Sequence, residues 1–170
     1  MTRTIIISEY DSPAGKLILG SLDDKLCLCD WLSRKNRTTI DNRLQQKLKA
    51  QFKEGTSFVI KEAKKQLDEY FAHQRTSFNI PLLFAGTAFQ VKVWNLLTEI
   101  PYGHTVTYLD IAKQMGCPKS VRAVGMANGA NAISIFAACH RVIGSNQKLT
   151  GYAGGLSAKE YLINLERHAH

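Results

Sequence analysis

Residues 105–131 read TVTYLDIAKQMGCPKSVRAVGMANGAN, and this stretch decides the fold of the second half of the chain. Thr107 and Asp110 have the spacing of a capping box, which predicts a helix that begins at Tyr108. Gly-Cys-Pro at residues 116–118 ends that helix, because proline cannot continue it. A second helix can begin directly afterwards. The stretch therefore predicts two short helices joined by a tight turn, the pattern of a helix-turn-helix.

The second of these helices is unusually rich in small residues. They alternate with larger ones at Ala123, Gly125, Ala127 and Gly129. A glycine inside a helix costs about 1 kcal/mol relative to alanine, so a helix with two of them often has its backbone close to another surface. That surface is either another helix or a nucleic-acid backbone. Arg122 is the only basic residue of this helix, and besides it only Asn128 and Asn131 could read base edges. If the helix binds DNA, we therefore expect little sequence specificity.

Downstream, residues 136–144 read FAACHRVIG and place Cys139 beside His140. The thiolate is the nucleophilic form of cysteine, and a free cysteine is mostly thiol at neutral pH, so a nucleophile here needs a nearby base. A histidine base in turn needs an orienting partner, for which Glu166 is the best carboxylate in this half. A buried structural cysteine is the alternative that these residues alone leave open.

The first half has a different pattern. Residues 4–31 alternate short β-rich runs with turns, which predicts a three-stranded antiparallel meander. Residues 41–53 predict a polar helix, and residues 60–73 predict an amphipathic one. We therefore expect an N-terminal α+β domain over residues 1–83, in which nothing looks catalytic.

The rest of the chain, residues 84–170, reads mainly as helices. One apolar face predicts a helix that ends at Pro101, and its members are Phe89, Val93, Leu96, Leu97 and Ile100. Ser157 and Glu160 have capping-box spacing and predict a C-terminal helix that carries Glu166. The expected fold class is α+β, with a helical second domain that holds the helix-turn-helix and the candidate active-site cysteine.

Composition and net charge favour some classes of function over others. The 170 residues include 22 Lys and Arg against 14 Asp and Glu, a net charge of +8 that favours a polyanionic partner such as nucleic acid. No apolar run approaches the ~20 residues of a membrane span, and the start lacks the pattern of a signal peptide. We expect a cytoplasmic protein without membrane contact, with free thiols. Cys27 and Cys29, two apart in a predicted strand, are expected on one face, and no metal site is expected.

Long motifs in the second half carry a resemblance to a known family. They are CHRV at residues 139–142, GYAGG at 151–155, Glu166, and upstream PYGHTVTYLDIA and PKSVRAVGMANGAN. In this order they resemble the active site and helix-turn-helix of the O6-alkylguanine-DNA alkyltransferases, also called methylated-DNA–protein-cysteine methyltransferases. The resemblance runs from about residue 86 to 167, and the first half fits only loosely, as the variable α+β domain of the family.

The resemblance implies a single-turnover DNA repair reaction. Cys139 would take the alkyl group from O6-alkylguanine after base flipping and keep it, without a cofactor; O4-alkylthymine is left open as a second substrate. His140, through a water and backed by Glu166, would remove the thiol proton, and Asn131 would tie the helix-turn-helix to the active-site segment.

The resemblance also implies how DNA is held. The recognition helix would enter the minor groove of double-stranded DNA with little sequence specificity, and Arg122 would fill the gap in the base stack. Separately, we expect a monomer. Tyr108 would help to rotate the nucleotide out and would donate a proton toward the leaving guanine. The further implied DNA contacts are Ala123, Gly125 and Ser145. The implied guanine pocket is lined by Val142, Tyr152 and Ala153.

The chain departs from the family pattern at Ala138, where the family usually has proline; Ala132 after Asn131 is interpreted as a second such loss. Proline would fix the backbone before the nucleophile, so alanine is expected to lower the rate or the stability modestly. Two alternatives stay open. A non-catalytic alkylated-DNA-binding or regulatory helix-turn-helix protein predicts sequence-specific binding, for which few base-reading side chains are present. A cysteine hydrolase predicts turnover on an ester or a peptide.

Overall fold

The structure is a computed structural model that describes residues 3–146, 149 and 151–168. The elements of the first half are β1 (Arg3–Ser12), β2 (Gly15–Leu22), β3 (Lys25–Trp31), α1 (Arg37–Leu48), β4 (Ala50–Glu54) and α2 (Phe58–Phe71). Those of the second half are α3 (Ala88–Leu97), β5 (Val106–Thr107), α4 (Tyr108–Gln114), α5 (Val121–Gly129), a 3-10 turn (Cys139–Arg141), β6 (Val142–Ile143) and α6 (Leu156–Arg167). The α+β fold class is confirmed.

The first half forms a mixed sheet whose strand order, within the described residues, is β3-β2-β1-β4. The antiparallel pairing of β1, β2 and β3 is confirmed. The prediction of one helix over residues 41–53 is wrong, because α1 ends at Leu48 and β4 then pairs parallel with β1. Lys49 causes the change, since its left-handed backbone (φ 50°) caps α1 and turns the chain into the sheet.

The expectation that Cys27 and Cys29 share a face is also wrong. The register between β2 and β3 shifts at Gly20 and Ser21, and this β-bulge leaves Cys27 without an opposite residue. A bulge interrupts the two-residue alternation of a strand. As a result Cys27 packs with Leu28 against α1, whereas Cys29 packs in the core on the other side of the sheet.

Helix ends in the second half follow their capping residues. The capping box at the start of α4 is confirmed, because the side chain of Thr107 accepts from the backbone N–H of Asp110 and the side chain of Asp110 accepts from that of Thr107. The capping box predicted for the C-terminal helix is wrong. Gly155 is the N-cap of α6, so Ser157 already lies inside the first turn and makes no capping hydrogen bond.

The two halves share one hydrophobic core. Leu17, Trp31 and Leu67 from the first half pack in the same cluster as Ile133 and Leu162 from the second. Within the ranges described, no helix is long and apolar enough to cross a membrane.

The outer edge of β3 supports the active-site segment directly. Cys29 N–H donates to Ala132 O at 2.8 Å, and Ser134 N–H donates to Cys29 O at 2.7 Å. Further along the same edge, Leu26 N–H donates to Pro81 O and Leu83 N–H donates to Leu26 O, both at 2.9 Å. The sheet thus fixes the backbone that leads from α5 to Cys139.

Candidate active site

Cys139 lies at the end of a short irregular segment that begins after α5. Two consecutive tight turns shape this segment. Phe136 N–H donates to Ser134 O at 2.9 Å around Ile135, and Cys139 N–H donates to Ala137 O at 2.8 Å around Ala138. Ala138 has φ −80° and ψ 64°, the geometry of an inverse γ-turn. Ile135 has φ 74°, which is rare and strained for a β-branched residue.

Asn131 holds this segment against the end of α5. Its side-chain N–H groups donate to Ala137 O at 3.0 Å and Ile133 O at 3.3 Å, and its side-chain oxygen accepts from Ile133 N–H at 3.0 Å. The side chain is almost fully buried. Asn131 therefore links the end of α5 to the backbone segment that leads to Cys139.

The sulfur of Cys139 is nearly enclosed, with the residue 3% exposed. Burial raises the pKa of the Cys139 thiol, and the polar side chains of Asn131, Ser134 and Tyr152 oppose that rise. The thiol lies 3.9 Å from Ser134 Oγ, a long contact in which sulfur is the donor. The thiol is therefore the resting form at neutral pH, and attack by sulfur requires a base.

His140 and Glu166 form a buried pair beside the cysteine. His140 Nε2 lies 2.6 Å from Glu166 Oε2. Burial lowers the pKa of His140, partly offset by the adjacent carboxylate. His140 Nδ1 is buried and has no hydrogen-bond partner among the described residues. The carboxylate thus fixes one ring nitrogen, whereas the other accepts from and donates to none of the residues that the structure describes.

Glu166 is the most densely hydrogen-bonded group of the site. Besides His140, Oε2 accepts from Tyr70 Oη at 2.6 Å and from Arg141 NH2 at 3.0 Å. Oε1 accepts from Arg141 Nε at 2.8 Å and from Gly103 N–H at 3.1 Å. Burial alone would raise the pKa of Glu166, but its bonds and charge pairing with His140 and Arg141 hold it well below its usual range. Glu166 is therefore a carboxylate, and a carboxylate can only accept hydrogen bonds.

Two cations lie close to the site, and the structure gives each a role that the sequence did not. Arg141 binds Glu166 and also donates from NH1 to Ile100 O at 2.6 Å, so it makes both an ion pair and a carbonyl contact. Lys159 is buried, and its ammonium donates to Val142 O at 2.6 Å. Burial lowers the pKa of Lys159, and the Cys139 thiolate would raise it. A positive charge here stabilises a thiolate.

The residues assigned to DNA contact lie on α4, on α5 and in the turn after β6. Arg122 and Ala123 are exposed and Gly125 is half-buried. Apart from its chain neighbours and the nearby backbone of α5, the nearest described atom to a Cβ added at Gly125 belongs to the ring of Tyr108, at 3.9 Å. Ser145 is exposed in the turn that follows β6. Tyr108, at the start of α4, is half-buried between α5 and α6, with Lys159 Nζ 6.0 Å from its ring centre.

The residues assigned to the guanine pocket lie on two sides of the cysteine. Val142 is fully buried in the core cluster of Cys139. Tyr152 and Ala153 are half-buried in the turn before α6, and Tyr152 packs edge-on against Trp31. The Tyr152 hydroxyl is buried without a normal hydrogen-bond partner in the part of the chain that is described. It is a polar group close to the sulfur of Cys139.

Sequence reasoning missed three groups here. Ser134 gave no signal in an apolar stretch. Lys159 did give one, because it lies one helical turn before Leu162 and Ile163 and two before Glu166, on the face that α6 buries. Tyr70 was interpreted only as part of an apolar helix face in a half where nothing looks catalytic, and its bond to Glu166 was not foreseen.

Comparison with known proteins gives a consistent answer along the whole chain. Two family models match: "6-O-methylguanine DNA methyltransferase, ribonuclease-like domain" over residues 5–84 and "6-O-methylguanine DNA methyltransferase, DNA binding domain" over residues 88–168. The methylated-DNA–protein-cysteine methyltransferase of Methanosarcina acetivorans is 44% identical over 157 residues, which are 92% of this chain and 95% of the relative. The constitutive enzyme of that name from Bacillus subtilis is 44% identical over 163 residues, covering 92% of both chains.

Solved structures agree with the sequence comparison. The crystal structure of Mycobacterium tuberculosis O6-methylguanine methyltransferase matches with a TM-score of 0.84 and 38% identity, covering 98% of this chain and 94% of that one. The structure of M. tuberculosis OGT in complex with DNA matches with a TM-score of 0.80 and 40% identity, covering 96% and 92% of the two chains. These matches cover both halves of the chain, and the buried Cys139, His140 and Glu166 lie in the half matched by the DNA binding domain. The chain therefore belongs to the 6-O-methylguanine DNA methyltransferase family.

Proposed function

We propose that this protein repairs DNA by moving the alkyl group of an O6-alkylguanine to Sγ of its own Cys139, once per chain. The observation that carries the proposal is the buried cysteine beside a histidine whose Nε2 is held by a carboxylate and whose Nδ1 has no partner among the described residues. Membership of a methyltransferase family that includes a DNA-binding domain supports the same activity. The protein is thus a methylated-DNA–protein-cysteine S-methyltransferase.

The tautomer of His140 identifies the base. Because Glu166 is a carboxylate, Nε2 of His140 must be the nitrogen that carries hydrogen. The lone pair of the neutral ring is then on Nδ1, which can remove the thiol proton. A water molecule between Nδ1 and Sγ is the expected carrier, because a bridging water replaces a direct hydrogen bond at little cost.

The bond changes balance within one displacement. The Sγ–carbon bond forms as the bond between carbon and guanine O6 breaks, and guanine leaves with the electron pair of that bond. Tyr108 donates a proton to the guanine. The protein gains an equivalent proton when His140 takes the one from the thiol, so the total number of protons is conserved. A positioned acid contributes about 10²–10⁴-fold to a rate. The thioether product is a poor leaving group, so each chain reacts once.

The α5 face, made of Arg122, Ala123 and Met126, is proposed to enter the minor groove. Gly125 and Gly129 add no side chain to this helix. Apart from their chain neighbours and the nearby backbone of α5, no described atom lies closer than 3.9 Å to a Cβ added at either position. Packing inside the described protein therefore does not require the glycines, which favours the nucleic-acid explanation over a neighbouring helix. Met126 is 72% exposed and adds apolar contact. Arg122 would occupy the space that the flipped nucleotide leaves in the base stack. Rotating the nucleotide out costs a few kcal/mol.

The remaining assignments complete the DNA complex. Ser145 is proposed to contact the backbone, and Val142, Tyr152 and Ala153 to enclose the guanine beside Cys139. The partner is double-stranded DNA bound with little sequence specificity, because the α5 face carries few groups that read base edges. We propose a monomer and a cytoplasmic location, as expected from the sequence.

Intact mass spectrometry tests the reaction. The protein is mixed with an excess of duplex that carries one O6-methylguanine, and with the same duplex carrying guanine as the control. We expect each chain to gain one methyl group from the first duplex only, to stop there, and to carry the group on the peptide that contains Cys139. Tight binding of the lesion duplex without any gain in mass would instead support the non-catalytic alkylated-DNA-binding alternative.

Ala138→Pro tests the one clear departure from the family pattern. Ala138 already has the φ of about −65° ± 15° that proline requires, and its N–H makes only a long contact of 3.4 Å to Leu97 O. Proline should therefore raise the free energy of unfolding by about 0.4–1 kcal/mol, with an equal or moderately faster alkyl transfer. Chemical denaturation and single-turnover kinetics measure the two effects.

Ala137→Pro is the matched control for this change. Ala137 N–H donates to Ile133 O at 3.0 Å, and proline would remove that bond. The neighbouring substitution should therefore destabilise the protein. A slower or less stable Ala138→Pro variant would show that alanine is not a loss at this position.

A further inference from the structure

The hydroxyl of Tyr70 is the one contact that the first half of the chain makes with the Glu166 carboxylate among the hydrogen bonds of the described residues. It comes from α2, a helix that belongs to the half in which the sequence showed no catalytic feature. Tyr70 Oη lies 2.6 Å from Glu166 Oε2 and the residue is fully buried. A bond of this length between a phenol and a carboxylate is charge-assisted and strong.

The bond ends on the oxygen that matters for proton transfer. Oε2 of Glu166 accepts from Tyr70 and from His140 Nε2, both at 2.6 Å, and from Arg141 NH2 at 3.0 Å. Donors on one oxygen compete for the same negative charge, so the strength of the Tyr70 bond affects the strength of the His140 bond. Tyr70 therefore acts on the imidazole without touching it.

The ring of Tyr70 is buried in a cluster of aromatic side chains. Its ring packs edge-on against Phe71 and Tyr102 and tilted against Phe78. Burial, and then the Glu166 charge, raise the pKa of Tyr70 well above its usual value, so the phenol stays protonated and remains a donor throughout the neutral range. The aromatic cluster thus fixes the direction of the donor and the carboxylate fixes its protonation.

We propose that Tyr70 is a positioning residue for alkyl transfer: by donating to Glu166 Oε2 it limits the negative charge offered to His140 and so sets the basicity of the imidazole that removes the Cys139 proton. The inference rests on the proposed role of His140 as the base. It makes α2, in the half of the chain matched by the ribonuclease-like domain, part of the proton-transfer machinery rather than only a support for the sheet.

Other charged and titratable groups face the same pair and must stay unchanged in the test. They are Arg141 from the 3-10 turn, Lys159 and Arg167 from α6, Tyr102 and His104 from the turn after α3, and Cys139 itself. Arg141 and Lys159 lower the pKa of His140 by their charge, so the tyrosine effect is superimposed on theirs. Tyr70→Phe removes only an oxygen and keeps the ring, so it leaves all of these groups in place.

The test is the pH dependence of the single-turnover methyl-transfer rate with an O6-methylguanine duplex. In the wild type the rate should fall at low pH as His140 becomes protonated, and this acid limb should be absent in His140→Asn. Without the tyrosine donor, Oε2 offers more negative charge to His140 and stabilises the imidazolium. Tyr70→Phe should therefore move the acid limb to higher pH, by about half a unit to one unit.

Tyr10→Phe is the matched control, because Tyr10 also donates to a carboxylate at 2.6 Å, but to that of Asp68 and not to Glu166. It should leave the limb where it is. A Tyr70→Phe rate that falls equally at every pH, or an unmoved limb, would reduce Tyr70 to a structural role and overturn the inference. If the wild type has no limb that His140→Asn removes, the proposed base is itself wrong, and the inference fails together with it.

Two further measurements do not depend on the phenylalanine variant being fully active. Nuclear magnetic resonance titration of the His140 imidazole should show its pKa higher in Tyr70→Phe than in the wild type. Incorporation of 3-fluorotyrosine at position 70 makes the phenol a stronger donor, and it should move the acid limb in the opposite direction, to lower pH. A shift of both variants in the same direction would contradict the proposed competition for Oε2.

Discussion

Cys139→Ser is expected to abolish methyl transfer completely while the protein still folds and binds the lesion duplex. Serine is close to cysteine in size, so the nearly enclosed site should accept it. A serine hydroxyl is a far weaker nucleophile than a thiolate, and no group here is placed to deprotonate it fully. The expected readouts are zero gain in intact mass with an O6-methylguanine duplex and an unchanged gel-shift affinity.

Cys117→Ser provides the control for this loss. Cys117 is a free, half-buried cysteine in the turn between α4 and α5, and it is not part of the Cys139, His140 and Glu166 group. This variant should gain one methyl group like the wild type. A methyl group found on Cys139→Ser, or on a peptide other than that of Cys139 in the wild type, would show that the acceptor has been assigned to the wrong residue.

Glu166→Gln is expected to lower the rate of alkyl transfer by about 10²–10⁴-fold and to destabilise the fold. Glutamine cannot stabilise the imidazolium that forms when His140 takes the thiol proton, so the base becomes weaker. It also leaves the buried guanidinium of Arg141 without its counter-charge. Breaking a buried ion pair from one side costs about 3–5 kcal/mol. Single-turnover kinetics and chemical denaturation measure the two losses.

The same variant has a distinct pH signature. The pKa of Glu166 is held below its unfolded value of about 4.3, so the carboxylate stabilises the native protein above that pH. The stabilisation is lost as the pH falls below about 4, because the unfolded chain then binds a proton that the folded chain does not. In Glu166→Gln this part of the acid-induced decrease in the free energy of unfolding should be missing.

Glu160→Gln is the matched control, since Glu160 is an exposed carboxylate on the same helix. It should change neither the transfer rate nor the unfolding free energy by a measurable amount. A Glu166→Gln variant that transfers methyl groups as fast as Glu160→Gln would exclude the carboxylate from the proton-transfer step.

Local signals explain which parts of the fold could be predicted. Thr107 and Asp110 satisfy each other's backbone groups within four residues, so their helix start could be deduced from spacing alone. The fourth strand could not, because Lys49 turns the chain only when the edge of β1 is available to pair with Ala50–Glu54. Cys27 is similar, since a bulge depends on the register of two strands and not on the sequence of one.

The residues of the candidate site also fall into those that could be predicted from the sequence and those that could not. Cys139, His140 and Glu166 could be named because their motifs resemble those of a family, and the structure places His140 against Glu166 and packs Cys139 in the adjoining core. Tyr70 and Ser134 could not be named, because their roles depend on contacts that only the folded chain makes. Tyr70 meets Glu166 across 96 positions of sequence, a separation that no local pattern encodes.

The way that β3 is covered has a consequence for solubility. As the outer strand of its sheet, β3 would offer unpaired backbone groups and the apolar run Leu26–Cys29 to any other strand. Such an edge is a template for edge-to-edge aggregation. Here Pro81, Leu83, Ala132 and Ser134 occupy those backbone groups. The backbone beside the nucleophile is therefore also what protects the sheet from self-association, so a change that loosens it endangers repair and solubility together.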